Sequence, residues 1–461
     1  MSSEIRNSFM KVSSVKAADS DHRAKLEFNI SQYDTTVIKG KAKYSDLELA
    51  KSRASQIKSN TIDNLEKYLK EFEINFTNNG GKVIWANDEK VAVSEILKIM
   101  ERNKATMLVK GKSMTTEEIY LNKHLEANNI ESVETDLGEF IVQLAGETPY
   151  HIVTPAMHKS KEDVAKLFNE KEGMPINSTP QDIAAYVRDL LRKKFTSADV
   201  GVTGGNFLIA DIGGVAVTEN EGNVLLCASF PKIHIAIVGI EKMIPHMEDL
   251  DLFWSLLATY GTGQHLTVYN SIFTGPKQEG EVDGPEEMYV VLLNNGRTNV
   301  LGDTVLRHSL DCIRCGACLN GCPIYKSIGG HAYGSTYSGP IGSIITPHYK
   351  GMQEFKHLSQ ASSLCGKCTE ICPVKIDLHK MLLYNRKYAV EHGLNGNKER
   401  FSMFLWKKGM LNRKIMNQFS SKLKNFIIGI FFKKTWGDKR ALPTIKETSF
   451  NQFWRNKNRT P

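Results

Sequence analysis

Seven of the eight cysteines of this chain lie between residues 312 and 372, and this grouping constrains the fold more than any other feature of the sequence. The first group, Cys312 to Pro323, has the spacing C-x-x-C-x-x-C-x-x-x-C-P. The second, Cys365 to Pro373, repeats the last three cysteines and the proline. Such short spacings would strain disulfide bonds, which need a specific separation of their Cα atoms. The grouped thiolates therefore indicate ligands for inorganic centres.

The spacing of the first group is typical of proteins that hold two 4Fe-4S clusters. Three thiolates on one tight loop reach one cubane, while the fourth, displaced by three residues and a proline, ligates the other cluster. We therefore predict two 4Fe-4S clusters with crossed ligation. The first takes Cys312, Cys315, Cys318 and Cys372, and the second takes Cys322, Cys365 and Cys368.

The second cluster has only three cysteine ligands in this prediction, because Ser362 stands where the first cysteine of the second group would be. Ser362, solvent or a substrate could fill the fourth corner, or the iron could be missing and leave a three-iron cluster. The sequence leaves these alternatives open. A hard oxygen ligand or an open iron would change the reduction potential of the cluster.

A pair of zinc sites is the alternative reading of the cysteine pairs. Zinc takes four ligands per site and makes no use of the C-x-x-C-x-x-C triplet or of two C-P endings. The eighth cysteine, Cys227, lies in the apolar run Val224-Leu-Leu-Cys-Ala, so we expect it to be a small buried hydrophobe.

The region before the cysteines alternates between strand-like and helical patterns. Strand-like runs at Lys82–Ala86 and Thr106–Val109 alternate with helical patterns at Val91–Met100 and Thr115–Asn128, which predicts parallel βα units. A long surface helix is predicted over Tyr44–Phe76 from apolar residues at helical intervals. Short β-branched runs broken by glycine follow from Val200 to Val238, and two candidate strands at Leu266–Phe273 and Met288–Leu293 flank an exposed loop at residues 275–287.

Composition divides the chain into four parts. These are an N-terminal arm (residues 1–43), an α/β domain (44–298), a mainly helical cysteine module with an amphipathic helix at Ile376–Val390 (299–392), and a basic tail (393–461). The polar first residues lack an apolar signal core and no apolar run approaches the length of a membrane span, so we expect a cytoplasmic protein.

The tail holds about sixteen Lys or Arg against about three Asp or Glu, although the whole chain has a net charge of only +8. We read it first as a docking arm for a partner subunit. A membrane-surface contact is the second reading, because Trp406, Phe426, Phe431, Phe432 and Trp436 among lysines suit an interfacial helix. Binding of nucleic acid is the third, and we expect none.

Several glycine-rich or basic segments are weaker site candidates. Gly204-Gly-Asn and Glu219-Asn-Glu-Gly-Asn are turn sequences at strand ends, where backbone N–H groups could approach a carboxylate or phosphate, but plain hairpin turns explain them as well. Lys110-Gly-Lys112 could hold an anion, although a solvated pair of lysines is the better reading. The sequence has neither a G-x-G-x-x-G motif nor a P-loop, so no nucleotide site is predicted.

With these motifs in hand, nearly the whole chain resembles the lactate utilization protein B family. Residues from Cys312 to Pro323 and Cys365 to Pro373, with the following Val374-Lys-Ile-Asp-Leu-His, resemble its α-helical ferredoxin module. Thr203-Gly-Gly-Asn-Phe-Leu-Ile-Ala-Asp, Glu219-Asn-Glu-Gly-Asn and Tyr260-Gly-Thr-Gly-Gln resemble its LUD domain, a sheet similar to the sugar-phosphate isomerase and CoA-transferase fold. The family also carries three cysteines in its second group, so Ser362 does not depart from it.

The resemblance implies an iron-sulfur electron-transfer subunit of a complex that oxidises L-lactate to pyruvate. Its implied partners are a second cysteine-rich subunit and another LUD-domain subunit. The competing hypothesis is a cluster-bearing metabolite sensor or scaffold whose LUD half binds a small anion without turnover. A third is a stand-alone enzyme that uses the open iron of the second cluster as a Lewis acid.

Overall fold

The computed structural model describes residues 2–412, 414–415, 418–437 and 441–457, so residues 413, 416, 417, 438–440 and 458–461 of the predicted tail lie outside the description. The chain divides into two compact units, one ending at Ala389 and one beginning at Val390. The first unit contains both the α/β domain and all the cysteines.

The α/β domain is built on a six-stranded parallel sheet with the order β1-β10-β7-β4-β2-β3, next to a four-stranded sheet with the order β8-β5-β6-β9. In the smaller sheet β5 pairs antiparallel with β6 and parallel with β8, and β6 pairs antiparallel with β9. The strands are β1 Lys82–Ala86, β2 Met107–Lys110, β3 Glu131–Glu134, β4 Val200–Thr203, β5 Phe207–Ile209, β6 Gly214–Glu219, β7 Ile233–Gly239, β8 Met243–Ile244, β9 Tyr269–Phe273 and β10 Glu287–Leu293.

Helices cover the parallel sheet and form the rest of the first unit, and the last of them, α19, ends two residues after Ala389. They are α1 Ser2–Ala18, α2 Ser20–Lys41, α3 Leu47–Asp63, α4 Leu65–Asn78, α5 Glu89–Arg102, α6 Met114–Glu118, α7 Leu121–Ala127, α8 Leu137–Leu144, α9 Lys161–Glu172, α10 Pro180–Ser197, α11 Asn223–Ser229, α12 Leu250–Thr262, α13 Arg297–Leu301, α14 Ala317–Asn320, α15 Pro323–Ile328, α16 Gly339–Lys350, α17 Met352–Gln360, α18 Lys367–Glu370 and α19 Leu378–Glu391. Short 3₁₀ helices lie at Ile240–Lys242, Met247–Asp249, Arg307–Asp311 and His331–Tyr333.

The central strand β7 explains why the sheet is covered on both faces. All seven of its residues are buried. Ile235 and Ile237 belong to one apolar cluster of the core, and Ala236 and Val238 belong to another, as the alternation of side chains along a strand requires. A strand that is apolar on both faces is typical of a parallel sheet between helical layers.

The predicted strand Lys82–Ala86 is confirmed as β1, and the predicted strands Thr106–Val109 and Met288–Leu293 are confirmed as β2 and β10, with shifts of one residue at their ends. β7 is one of the strands expected among the β-branched runs from Val200 to Val238. The single long helix predicted over Tyr44–Phe76 is wrong. It is two helices, α3 and α4, which meet at Asn64. The Asn64 side chain donates to the carbonyl of Asn60 at 2.8 Å, an interaction that competes with helix continuation.

Two further secondary-structure predictions need correction. The helix predicted over Thr115–Asn128 is divided into α6 and α7, because Tyr120 adopts a left-handed conformation with a φ of 49°. The strand-and-turn region around Val200–Val238 also contains the short helix α11, which places Cys227 in the core with no exposed surface. The expected burial of Cys227 is confirmed.

Within the predicted N-terminal arm, residues 2–41 are largely helical and form α1 and α2. In α1, Phe9 packs its ring at 5.0 Å from the ring of His357 in α17. In α2, Leu26 and Ile30 are buried beside Tyr150, whose hydroxyl lies 2.6 Å from Nε2 of His22. These helices therefore belong to the core of the first unit.

The second unit contains helices at Asn397–Leu411, Ser421–Phe431, Lys433–Trp436 and Phe450–Lys457. Their aromatic side chains are exposed, with Phe401 at 63% and Phe426 at 65% of their full accessible surface. Among the described residues, no helix combines the length and the apolar character needed to cross a bilayer.

Candidate metal centre and adjoining cavity

The two cysteine loops repeat the same backbone conformation. In the first loop Arg314 and Gly316 have φ values of 61° and 79°, and in the second Leu364 and Gly366 have values of 53° and 79°. Left-handed residues on either side of one cysteine coil the chain tightly, so that the thiolates at positions three apart face the same side. The short helices α14 and α18 follow the two loops, and each leads to a Cys-Pro sequence.

Ser362 occupies the position in the second loop that Cys312 occupies in the first. The backbone N–H of Arg314 donates to Cys312 Sγ at 3.4 Å, and the backbone N–H of Leu364 donates to Ser362 Oγ at 3.2 Å. The hydroxyl of Ser362 is therefore held by the same local contact that holds the first thiol of the complete loop.

Four of the predicted ligands line one cavity. Three come from the first loop and the fourth comes from the second group, more than fifty residues later, as the crossed arrangement expects. The remaining walls are almost entirely apolar. The sulfur-bearing residues of this cavity are Cys312, Cys315, Cys318 and Cys372, and its apolar walls are Ile152, Ile313, Leu319, Ile341, Pro373, Val374, Ile376 and Leu378.

The other three predicted ligands also lie near one another. Cys322 and Cys365 both contribute to raising the pKa of Cys368, and Cys365 contributes to raising the pKa of Cys322, although burial is the main cause in each case. Cys365 is exposed, whereas Cys368 is buried. The three-cysteine set therefore reaches the protein surface at Cys365. In the four-cysteine set no sulfur-bearing residue is exposed, since two are half-buried and two are buried.

The chemistry of the thiols fits a cationic centre. Burial raises the pKa of Cys372 to about 12 and that of Cys368 to about 11, so these thiols would stay protonated without a positive charge beside them. A bound metal reverses this preference, because metal ligands are thiolates. Backbone N–H groups already approach the sulfurs, among them the N–H of Ile376, which donates to Cys372 at 3.4 Å.

A second cavity of about 330 Å³ adjoins the four-cysteine cavity at the edge of the parallel sheet. Parallel strands end at the same edge, where α/β folds place their ligands. Residues that follow five strands line this cavity. They are Lys112 after β2, Asp136 after β3, Gly204–Asn206 after β4, Gly239, Glu241 and Lys242 at the end of β7, and Arg297 after β10.

Two residues of the first cysteine loop line both cavities. They are Arg314 and Cys315. The end of α12 reaches the same place, since a Cβ added to Gly261 would lie 3.5 Å from the carbonyl oxygen of Cys315. A molecule in the 330 Å³ cavity would therefore lie next to a predicted cluster ligand.

Buried charges surround the part of this cavity nearest the cysteines. Arg297 is fully buried and donates through Nη1 and Nη2 to the two carboxylate oxygens of Glu118, both at 2.9 Å. Its Nε donates to Glu241, which also pairs with Arg314 at 3.4 Å. Burial and the neighbouring Arg314 lower the pKa of Lys242 to about 7.

Acidic side chains line another part of the same cavity. Burial, reinforced by the neighbouring Asp136, raises the pKa of Glu221 to about 7. Burial also raises the pKa of Glu219, although its carboxylate accepts the backbone N–H groups of Val224 and Leu225 at 2.8 and 2.9 Å. Part of the cavity wall is therefore acidic and part is basic.

The predictions for the basic and glycine-rich segments have different outcomes. Gly204, Asn206 and the Glu219 segment all line the cavity. The solvated pair of lysines predicted at Lys110 and Lys112 is wrong for Lys110, which is completely buried with its Nζ 2.7 Å from Glu134 and 3.0 Å from Glu117. The sequence reasoning missed Arg314, Lys242, Glu241 and Arg297, because only the fold brings them together.

Family comparisons agree with this architecture. A model of the LUD domain matches residues 69–293, and a model of the 4Fe-4S dicluster domain matches residues 308–376. The chain thus has an α/β LUD domain followed by a helical iron-sulfur region of the ferredoxin type.

Curated relatives match over most of the chain. Lactate utilization protein B of Shouchella clausii is 40% identical over 414 residues, and that of Bacillus pumilus is 41% identical over 415 residues; each match covers 87% of both chains. Lactate utilization protein B of Bacillus velezensis is 45% identical over 342 residues, covering 74% of this chain and 72% of its own. A solved DUF162 family protein from Deinococcus radiodurans has a TM-score of 0.29 at 12% identity over 50% of this chain and 98% of its own, too low to bear on the fold. On the strength of the curated matches, the chain belongs to the lactate utilization protein B family.

Proposed function

We propose that this chain is the iron-sulfur electron-transfer subunit of a complex that oxidises L-lactate to pyruvate. The observation that carries the proposal is the position of Cys372, which lines one cavity together with Cys312, Cys315 and Cys318 although it comes from the other cysteine group. Crossed ligation of this kind is a feature of two-cluster electron carriers. The names of the curated relatives supply the lactate part of the proposal.

In this proposal the chain holds two 4Fe-4S clusters. One is ligated by Cys312, Cys315, Cys318 and Cys372, and the other by Cys322, Cys365 and Cys368, so that the second has three cysteine ligands. A bound cluster supplies one-electron redox chemistry at a potential set by hydrogen bonds to its sulfurs and by its exposure to solvent. The apolar walls of the four-cysteine cavity exclude water, and backbone N–H groups orient the thiolates.

The two sets of cysteines differ in a way that suits a conduit. Cys315 borders the 330 Å³ cavity inside the unit, whereas Cys365 is exposed. Such an arrangement can connect a buried reaction site with a partner at the surface. The proposed partners are a second cysteine-rich subunit and another LUD-domain subunit.

Cysteine variants of the anaerobically purified chain test the ligand sets. We expect about eight irons and a matching amount of sulfide per chain for two complete clusters, or about seven if the second lacks one iron. Cys372→Ala and Cys318→Ala should remove the same EPR signal, and Cys365→Ala should remove the other. If Cys372→Ala and Cys365→Ala removed the same signal, the crossed ligation would be wrong.

Addition of L-lactate to the assembled subunits tests the electron-transfer role. A conduit should show reduced clusters by EPR, whereas a sensor or scaffold would keep the oxidation state of its clusters. D-lactate serves as the matched control. Clusters that stay oxidised with L-lactate, in a complex that contains all three subunits, would overturn the proposed role.

A further inference from the structure

We propose that the 330 Å³ cavity is a binding site for a small monocarboxylate that carries a hydroxyl or keto group, with Arg314 and Lys242 binding its carboxylate. The inference deepens the proposed function and rests on it for the choice of L-lactate and pyruvate as probes. The existence of the site rests on the cavity itself.

The size of the cavity limits the ligand. A volume of 330 Å³ lies at the lower end of the range of ligand pockets, which is about 300–1,000 Å³. The cavity therefore has room for a small organic acid together with a few waters. The lining residues follow the carboxyl ends of neighbouring parallel strands, the usual position of ligands in an α/β sheet.

Arg314 offers buried hydrogen-bond donors to an anion in this cavity. Its side chain lines the cavity and is only 8% exposed. Its Nη2 lies 3.4 Å from Glu241, but Nε and Nη1 have no hydrogen-bond partner among the described residues. Buried donors without partners are costly, and the planar guanidinium group matches a carboxylate through two parallel hydrogen bonds.

Lys242 adds a second charge in the same place. Its side chain lines the cavity and forms no hydrogen bond or salt bridge with the residues that the structure describes. It lines the cavity together with Arg314, so both cationic side chains border the same space. Glu241, the carboxylate that pairs with Arg314, is shared with Arg297, and an added carboxylate would give Lys242 and Arg314 a partner of their own.

The acidic side chains select against more highly charged ligands. Asp136, Glu219 and Glu221 line the cavity beside Lys112. Asp136 follows β3 and Lys242 follows β7, which are three strand spacings apart, or about 14 Å before the side chains extend inward. A phosphate dianion or a dicarboxylate would meet these acids, whereas a ligand with one carboxylate can present a hydroxyl group for their oxygens to accept.

Binding to the anaerobically purified chain with its clusters tests the site. Isothermal titration would use L-lactate, pyruvate, inorganic phosphate and L-lactamide, the uncharged analogue of lactate. We expect L-lactate or pyruvate to bind, L-lactamide not to bind, and phosphate to bind more weakly. A bound carboxylate should also change the EPR line shape of the cluster that needs Cys372, because Cys315 borders the cavity.

Variants at Lys242 identify the site. Lys242→Gln should weaken carboxylate binding by about tenfold or more, and Lys242→Arg should keep most of it. Lys277→Gln, in the loop between β9 and β10, is the matched surface control and should leave binding unchanged. Iron content and EPR confirm that each variant has folded. If Lys242→Gln loses its clusters, Glu221→Gln is used in its place. Glu221→Gln should change the affinity for L-lactate more than the affinity for acetate, which has no hydroxyl group.

Three results would overturn the inference. They are no binding of either carboxylate, tighter binding of phosphate than of both, or an unchanged affinity in Lys242→Gln and Glu221→Gln. The proposed function would survive any of these if L-lactate still reduced the clusters through the partner subunits. Conversely, if the chain bound a carboxylate but its clusters stayed oxidised when L-lactate was added to the complex, the binding site would stand and the electron-transfer role would be wrong.

Discussion

At the scale of single residues, Arg297 joins the sheet to the cysteine loops. It lies completely buried and pairs with Glu118 and Glu241, while Tyr337 donates its hydroxyl to Glu118 at 2.6 Å. Glu241 also pairs with Arg314 of the first cysteine loop. Because burying these charges costs desolvation energy, we expect the network to contribute to the alignment of the two regions more than to net stability.

Loss of one partner should be severe. Arg297→Met would leave Glu118 and Glu241 buried without their main cation, and we expect the free energy of unfolding to fall by about 3–5 kcal/mol. Urea unfolding followed by fluorescence under anaerobic conditions measures this change. The double variant Arg297→Met with Glu118→Gln should recover part of the loss, because it removes one uncompensated charge. A loss below about 1 kcal/mol in Arg297→Met would contradict the role of the pair.

At the scale of elements, the two cysteine loops are a structural repeat in which only one ligand position differs. Arg314 and Leu364 share the left-handed conformation, and the N–H of each donates to the side chain two residues earlier. The backbone therefore presents Ser362 Oγ as it presents Cys312 Sγ. Geometry does not prevent a fourth thiolate in the second loop.

Ser362→Cys should therefore complete the second ligand set. We expect an iron content of about eight per chain, which would be a gain only if the second cluster of the unsubstituted chain lacks one iron, and a second cluster that withstands air longer, since a fourth thiolate would protect the open corner. Iron analysis and the decay of the EPR signal after exposure to air measure both effects. Ser363→Cys, on the neighbouring serine, is the control. An iron content and a decay rate equal to those of the unsubstituted chain would argue against a ligand position at residue 362.

The elements that could be predicted are those whose neighbouring residues form a recognisable pattern. The β-branched run of β7 and the spacing of Cys312, Cys315 and Cys318 are local, and both identify their structures correctly, as a strand and a tight loop. The division of the helix at Asn64 was missed because it is associated with a single side chain, which donates to the backbone carbonyl of Asn60, and not with a pattern over several residues. No secondary structure was predicted for the segments that form α8 to α10, whose buried residues belong to one shared apolar cluster.

The sequence singled out the Gly204 and Glu219 segments of the cavity wall, but it could not show that they meet the basic residues of the cavity. Its lining depends on the strand order β1-β10-β7-β4-β2-β3, which brings the ends of strands distant in sequence to one edge. No local pattern encodes that order. Lys112, Lys242 and Arg314 lie far apart along the chain and meet only when the sheet and the first cysteine loop are assembled.

At the scale of the whole molecule, charge and function are distributed unevenly. Every cysteine lies in the unit that ends at Ala389. Residues 396–461 carry a charge of about +13, from about sixteen basic and about three acidic residues, against +8 for the whole chain. The rest of the chain is therefore mildly acidic. Exposed aromatic residues in the second unit, such as Phe401, Phe404 and Trp406, add apolar surface to this positive charge.

Such a surface suits docking to an acidic partner subunit, because aromatic and basic side chains are common in interfaces. Deletion of residues 393–461 should leave the iron content and EPR signals unchanged, since no predicted ligand lies there. It should abolish co-purification with the partner subunits and the reduction of the clusters by L-lactate.

A triple variant separates apolar contact from charge. Phe401, Phe404 and Trp406 changed together to Ser would keep every lysine and arginine, and we expect a weaker affinity for the partners with the same salt dependence. Co-sedimentation with vesicles of phosphatidylglycerol tests the alternative that the tail contacts a membrane. If the tail bound these vesicles while its deletion left the partner complex intact, the tail would be a membrane contact and the docking interpretation would be wrong.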